Sequence, residues 1–208
     1  MYSAVLKYVG ILLCLLLTVL IGSKGHDKKD TRLLKLAFFL TAVADLFMVI
    51  LDFNTLGILV FCLVQITYIK RHRRAIRKKD KLTWLTLAII LVIIISRILT
   101  GSFNEGTNNT SLSEVTLTLG SIYAVILSYS VYTGWKTVKG NFYPVYSKYL
   151  ISIGITLFLL CDINVALSSI AQNLFIDSIE ISAVSGFLVW IFYLPSQVLL
   201  ALSGYSRK

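Results

Sequence analysis

The sequence predicts an all-α protein, a polytopic bundle that crosses a membrane seven times. Hydrophobic residues make up 57% of the 208 positions and charged residues only 14%, whereas soluble domains are about 25% charged. Several apolar runs approach the roughly 20 residues that a helix needs to cross a bilayer. The seven predicted spans are residues 3–21, 33–51, 55–69, 82–99, 115–135, 149–168 and 182–202. Because the connections between them are short, residues 1–208 are predicted to form one bundle.

The charged residues predict the orientation of this bundle. Lys and Arg collect in the connections 22–32, 70–81 and 136–148 and at the C-terminus, whereas 52–54, 101–114 and 171–181 contain neither residue. By the positive-inside rule, the N-terminus is predicted outside and the C-terminus in the cytosol. This placement argues against nucleic acid as a partner, although the net charge is +10. The basic run 70–81 is predicted to anchor the bundle at anionic headgroups, with a specific lipid or protein docking site as the alternative.

The sequence contains no pattern for metal-dependent or acyl-enzyme hydrolysis. His26 and His72 lie in basic connections, and no His/Cys cluster with metal-ligand spacing is present. No G-x-S-x-G nucleophile motif occurs. The three cysteines lie inside predicted spans, which favours packing roles over disulfides: Cys14, Cys62 and Cys161. We therefore expect neither a metal nor another cofactor.

Two aspartates lie in the middle of otherwise apolar segments. A charged group at that depth costs roughly 2.5–3.5 kcal/mol on insertion scales, so such residues usually serve a function. Asp45 follows Arg32 by 13 residues, and Asp162 follows Lys148 by 14. At 1.5 Å per residue, both would lie roughly 20 Å from the cytosolic face. A matched pair of carboxyl groups indicates acid–base chemistry or proton handling, although each could instead form a structural ion pair.

Other polar residues are predicted near the two aspartates. Lys7, Arg97 and Tyr123 are expected in the same layer, whereas Gln65 and Gln197 are expected closer to the cytosol. Lys7 and Arg97 could instead extend to the outer headgroups. The glutamines could serve only as interhelical hydrogen-bonding groups.

Five segments, in this order, resemble the YhhN-like membrane proteins, whose characterised members are lysoplasmalogenases. They are TAVADLFMVI, LGILVFCLVQITYI, SIYAVILSYSVY, FLLCDINVALSSI and VWIFYLPSQVLLALS. The positions that match the family pattern are Asp45, Gly57, Phe61, Tyr68, Tyr123, Asp162, Trp190, Tyr193 and Gln197. The resemblance covers nearly the whole chain, and its strength lies in the ordered set rather than in any one motif.

The chain departs from the family pattern at several positions. The family's Lys-Pro pair reads Lys7-Tyr8, its third-helix His is Gln65, and the Ser before the second Asp is Cys161. Family members commonly have eight spans rather than seven. Loss of the His removes a group that can exchange a proton near neutral pH, which puts the rate or the substrate in question.

The resemblance implies a hydrolase that cleaves the vinyl ether bond of lysoplasmalogens into a fatty aldehyde and a glycerophospho-head group. It implies that Asp45 and Asp162 are catalytic. It also implies that the partners are a lysophospholipid substrate and membrane lipids, and that the protein lies in a cell membrane. The amino-acid composition favours a bacterial cytoplasmic membrane. Glycosidases divide similar chemistry between two carboxyl groups. The residues expected to bind substrate are Lys7, Gln65, Tyr68, Arg97, Tyr123, Asn164, Tyr193 and Gln197.

Two other functions are open to a bundle of this kind. In a proton-coupled carrier, the same aspartates would relay protons without cleaving a bond, but no clear pair of broken helices or inverted repeat supports this. A seven-helix receptor has no supporting motif, and the last span lacks the lysine that a retinal photoreceptor needs. Head-group preference and oligomeric state are not predicted.

Overall fold

The computed structural model describes residues 2–76, 111–173 and 178–205 and is all-helical over this part of the chain. The prediction of an all-α protein is thereby confirmed. The predicted fourth span, 82–99, lies outside the described residues, so the number of spans and the orientation of the termini stay predictions. The helices are α1 (Tyr2–Leu20), α2 (Lys28–Asp45), α3 (Asn54–His72), α4 (Ser111–Lys139), α5 (Val145–Asn173) and α6 (Ser178–Leu202).

The described helices enclose a common interior. Each packs against the next in chain order, and α6 returns to pack against α1. Helices α3 and α4 run parallel, because Thr55 contacts Thr116 near their beginnings (Oγ1–Oγ1 distance 3.1 Å) and His72 contacts Thr133 towards their ends. The end of α3 and the beginning of α4 therefore lie at opposite ends of the bundle.

The surface of the bundle is apolar and its interior is partly polar. Leu6, Leu13 and Leu20 on α1 are each more than half exposed, as are Phe39 on α2 and Phe187 on α6. Fully buried polar residues include Thr18, Thr41, Gln65, Ser130, Thr133, Ser152 and Gln197. Soluble domains seldom combine so many exposed large apolar side chains with so many buried polar ones, and this combination suits a bundle surrounded by lipid.

Among residues 2–76, 111–173 and 178–205, two stretches are long and apolar enough to cross a bilayer by length and composition. They are Lys28–Ile50 and Val145–Ser168, each with a mean hydropathy of 2.2. Val5–Leu20 and Phe187–Leu202 are apolar but shorter.

A widened turn follows α2 directly after Asp45. Residues Leu46–Ile50 form a π-helical turn, a feature that often occurs at functional sites. The chain then reverses into α3 through Asp52, whose φ of 55° is left-handed. Gly57 allows α3 to pack closely here, because a Cβ atom at this position would lie 2.0 Å from Cγ of Met48.

The opposite end of the bundle is held together by a buried ion pair. Arg71 is 0% and Asp30 1% exposed, and the Arg71 Nε atom donates to both carboxylate oxygens at 3.0 and 3.1 Å. Arg71 Nη1 also donates to Ser203 Oγ at 2.8 Å. The Tyr143 hydroxyl lies 2.6 Å from Asp30 Oδ1 and 2.9 Å from the Arg71 carbonyl oxygen. We call the end at which Asp30, Arg71, Tyr143 and Ser203 meet the basic end; the sequence predicts that it faces the cytosol.

The basic end corrects one prediction from the sequence. Arg71 belongs to the run that was expected to contact headgroups, but it is enclosed by four segments of the chain. Arg74 pairs with Asp27, whose carboxylate also caps α2 by accepting from two backbone N–H groups. These hydrogen bonds lower the pKa of Asp27 to about 2. Only Lys70 and Arg73 are exposed among the described cations of this run.

Candidate active site

Asp45 is the last residue of α2 and points into the bundle. It is 5% exposed and accepts a hydrogen bond from the Tyr193 hydroxyl on α6. The contact joins helices that are distant in sequence, and it orients the carboxyl group just before the π-helical turn. A hydroxyl donor to a carboxylate forms a charge-assisted hydrogen bond, which is stronger than a neutral one.

Asp162 makes the equivalent contact on the other side of the interior. It lies on α5 and is partly buried, and it accepts a hydrogen bond from the Tyr123 hydroxyl on α4. The two aspartates thus have the same partner type, although the pairs use four different helices.

The two Asp–Tyr pairs belong to one site. The carboxyl groups of Asp45 and Asp162 are close enough to interact electrostatically. Phe61 and Phe158 lie between the tyrosines, with ring centroids 6.0 Å apart. Phe61 lies 6.1 Å from the Tyr123 ring, and Phe158 lies 6.0 Å from the Tyr193 ring. A continuous row of aromatic rings therefore connects the two phenols and forms an apolar surface beside the carboxyl groups.

Lys7 brings a cation to one side of this site. The partly buried Lys7 interacts electrostatically with Asp45, and its Nζ atom lies 5.6 Å from the centroid of the Trp190 ring. Such cation–π contacts hold an ammonium group in place at low cost. Cys161 interacts with both aspartates and with Lys7, so its thiol lies within the same group of side chains.

The two glutamines lie on the side of the acid pair that faces the basic end. Gln65 neighbours the Tyr123 hydroxyl. Both Gln65 and Gln197 are 0% exposed, and their amide atoms have no well-formed hydrogen bond to any residue that the structure describes. Tyr68 is equally buried, and its hydroxyl is likewise unpaired within the described ranges. These three residues lie between the acid pair and the basic end.

The remaining site predictions have different outcomes. The Asn164 side chain donates to the Leu160 carbonyl oxygen of its own helix at 2.7 Å. Arg97 lies outside the described residues. Lys7, Tyr123 and Tyr193 are placed around the two aspartates. Gln65, Tyr68 and Gln197 lie between the acid pair and the basic end, with Gln65 next to Tyr123.

Two features of the site and its support were missed from the sequence. The first is Phe158, which precedes Asp162 by four residues, so that both lie on one face of α5. The second is the Asp30–Arg71 pair, which the sequence does not reveal because Asp30 lies among the cations of its own connection. In the described part of the chain, no group of three His, Cys, Asp or Glu residues could hold a metal ion.

The arrangement can carry out acid–base chemistry on an apolar substrate. Two carboxyl groups at short range favour a state in which one is protonated and the other ionised. The protonated group can donate a proton, while the ionised one stabilises a developing cation. The aromatic row makes one side of the site apolar, with Phe61 9% and Phe158 0% exposed.

The fold and this site define a class: an all-helical bundle with a paired-carboxyl centre in its interior. The chain belongs to the YhhN family, whose model matches residues 2–204, essentially the whole chain. The resemblance seen in the sequence is thereby confirmed. Comparison with curated proteins found no match, and neither did comparison with solved structures.

Proposed function

We propose that the protein is a membrane-embedded hydrolase that cleaves the vinyl ether bond of lysoplasmalogens. The observation that carries the proposal is the pairing of Asp45 with Tyr193 and of Asp162 with Tyr123 around one interior site. Membership of the YhhN family, which includes lysoplasmalogenases, supports the substrate class. The apolar surface of the bundle supports a membrane location, where a lysolipid would be available.

The proposed reaction needs only the two carboxyl groups and water. One protonated aspartate transfers its proton to the outer alkene carbon of the vinyl ether, which leaves an oxocarbenium ion at the carbon bonded to oxygen. The other aspartate, as a carboxylate, stabilises this cation. Water adds to the cationic carbon and returns a proton to a carboxylate. The resulting hemiacetal breaks its bond to the glycerol oxygen, which takes up a proton, and a fatty aldehyde is released.

The other residues of the site have roles that fit this chemistry. The tyrosines orient the carboxyl groups, and the alkenyl chain would contact the Phe61–Phe158 rings when neighbouring side chains move, because both rings are buried. Lys7, held against Trp190, provides a cation near Asp45 that balances the carboxylate or binds the phosphate of the head group. A positioned general acid typically contributes about 10²–10⁴-fold to the rate.

The test is release of fatty aldehyde by the purified protein in detergent. A vinyl ether lysolipid is the substrate, and the matched saturated alkyl ether lipid is the control. We expect aldehyde from the vinyl ether alone, and loss of activity in both Asp45→Asn and Asp162→Asn. If the well-folded wild-type protein releases no aldehyde between about pH 5 and pH 8 from several head groups, the hydrolase proposal fails. The proton-coupled carrier, which needs a gradient and cleaves nothing, then becomes the better explanation.

A further inference from the structure

Six buried side chains with unpaired polar atoms lie in the part of the bundle nearer the basic end. Their unpaired atoms have no hydrogen-bond partner among residues 2–76, 111–173 and 178–205, and the side chains come from α3, α4 and α6. They are Gln65, Tyr68, His72, Ser130, Ser196 and Gln197. We call this set the polar layer. Native proteins pair nearly all buried polar groups, so a cluster of unpaired ones needs an explanation.

The position of the polar layer follows from the bond between Arg71 and Ser203. Gln65 precedes Arg71 by six residues, and Gln197 precedes Ser203 by six. Each glutamine therefore lies about 9 Å inward from the basic end. Tyr193 precedes Gln197 by four residues, about 6 Å further along α6. The layer thus extends from the basic end, where His72 follows Arg71, towards the Asp–Tyr pairs.

Contacts between neighbours connect the layer to the acid pair at one side and to the basic end at the other. The Asp162 carboxyl contacts Tyr123, and Tyr123 neighbours Gln65. Gln65 and Tyr68 lie one turn apart on the same face of α3, and the Tyr68 ring stacks on His72 with a centroid distance of 5.9 Å. His72 Nδ1 lies 3.5 Å from the Thr133 hydroxyl, close to Arg71. Polar side chains therefore recur along α3, at Gln65, Tyr68 and His72, between the acid pair and the basic end.

We infer that the polar layer is a water-binding route, which connects the basic end of the bundle to the Asp45–Asp162 site. Water supplies the donors and acceptors that the two amides, three hydroxyl groups and one imidazole lack. Because these side chains are 0% exposed, water enters when neighbouring side chains move. Where the proposed function holds, this route supplies the water that each hydrolysis consumes. That water enters from the basic end, which the sequence predicts to face the cytosol.

Hydroxyl-radical labelling of the intact protein in detergent tests the inference independently of activity. Radicals produced from water by an X-ray pulse modify buried rings only where water is close. We expect Tyr68 to be labelled several-fold faster than Phe38, an equally buried ring in the apolar core, after correction for the intrinsic reactivity of each ring. Labelling of Tyr68 no faster than that of Phe38 would overturn the route.

A second measurement uses thermal stability and also does not depend on turnover. An amide that is buried without water or another partner destabilises the fold, so an apolar residue of similar size relieves that cost. We expect Tm of the Gln65→Leu and Gln197→Leu variants to stay level or fall, because both amides bind water. The control is Thr41→Val, which removes a buried polar group that is already paired. The Thr41 hydroxyl donates to the Ala37 carbonyl oxygen at 2.8 Å. A clear rise in Tm for both glutamine variants would mean that the layer is dry. The aldehyde assay tests the hydrolase separately, so either proposal can fail while the other stands.

Discussion

Tyr193 on α6 donates its hydroxyl hydrogen to the carboxylate of Asp45 at the end of α2, across 148 positions of sequence. Tyr123 and Asp162 repeat the contact on α4 and α5. Each acidic group is thereby oriented by a residue from another helix. This duplication makes the tyrosines the most direct test of how the site is organised.

Removing either hydroxyl should lower activity without unfolding the protein. Hydrogen bonds contribute about 1.5–3 kcal/mol when the partner is charged and about 0.5–1.5 kcal/mol when it is neutral. Tyr123→Phe and Tyr193→Phe should therefore each reduce kcat/KM, by roughly ten- to hundred-fold at the ionised aspartate and by about two- to tenfold at the protonated one. The measurement is aldehyde release from a vinyl ether lysolipid. Tyr129→Phe is the matched control, because it makes the same change on α4 but keeps the stacking on Tyr132. Equal rates for wild type and both site variants would show that the tyrosines do not position the carboxyl groups.

The buried ion pair at the basic end should dominate the stability of that end. Removing one partner of a buried pair typically costs about 3–5 kcal/mol, since the other charge is left unpaired. We therefore expect Arg71→Gln to lower Tm strongly, and Arg71→Lys to restore it only in part because a lysine cannot make the two-pronged contact. Thermal unfolding in detergent measures both variants.

The neighbouring ion pair provides the control for this prediction. Arg74 and Asp27 form the same kind of contact, but their side chains are 24% and 37% exposed. Arg74→Gln should change Tm little, because exposed pairs contribute little to stability. If the two Arg→Gln variants melted together, burial would not be what distinguishes the two pairs.

His72 should make the protein less stable as the pH falls. Burial, together with the Arg71 guanidinium nearby, lowers the pKa of His72 to about 3. An unfolded histidine has a pKa near 6.5, so below that pH the unfolded state binds a proton that the folded state does not. Stability should then fall by at most about 1.4 kcal/mol per pH unit until the pH approaches the folded pKa.

Comparing Tm at several pH values between 7.5 and 5 measures this contribution. The decrease should be smaller in His72→Gln than in wild type. The control is His26→Gln, which removes an exposed histidine. A decrease of the same size in all three proteins would assign the effect to other groups.

Gly57 should be required for the packing of α3 against the turn that follows Asp45. Gly57→Ala places a methyl group where Met48 Cγ lies, and overpacking of this kind costs about 1–3 kcal/mol. We expect lower Tm and lower activity, with partial recovery when Met48→Ala is added. Gly120→Ala has open space around the new methyl group and should raise stability by up to about 1 kcal/mol. Tm and aldehyde release together measure all three variants, and a neutral Gly57→Ala would show that the turn adapts freely.

The sequence by itself determined the helical class and the family, and it predicted that the two aspartates serve a function. These follow from composition, from the cost of a carboxyl group in an apolar segment, and from an ordered set of motifs, all of which are local properties of the chain. It also predicted most helix positions, although α2 to α6 all extend beyond the predicted spans at polar ends. Those ends are stabilised by packing and capping, which hydropathy does not record.

Only the tertiary structure decided which polar groups meet. Nothing local distinguishes Tyr193 or Tyr123 from the other tyrosines, and the contact of each with an aspartate depends on how four helices pack around the interior. The sequence of the basic run 70–81 predicts a row of surface cations, yet Arg71 faces inward because the helix continues three residues beyond the predicted Ile69 boundary and Asp30 lies opposite. Side-chain pairing inside a bundle depends on helix rotation and depth together, and a single sequence specifies these only through the packing of the whole chain.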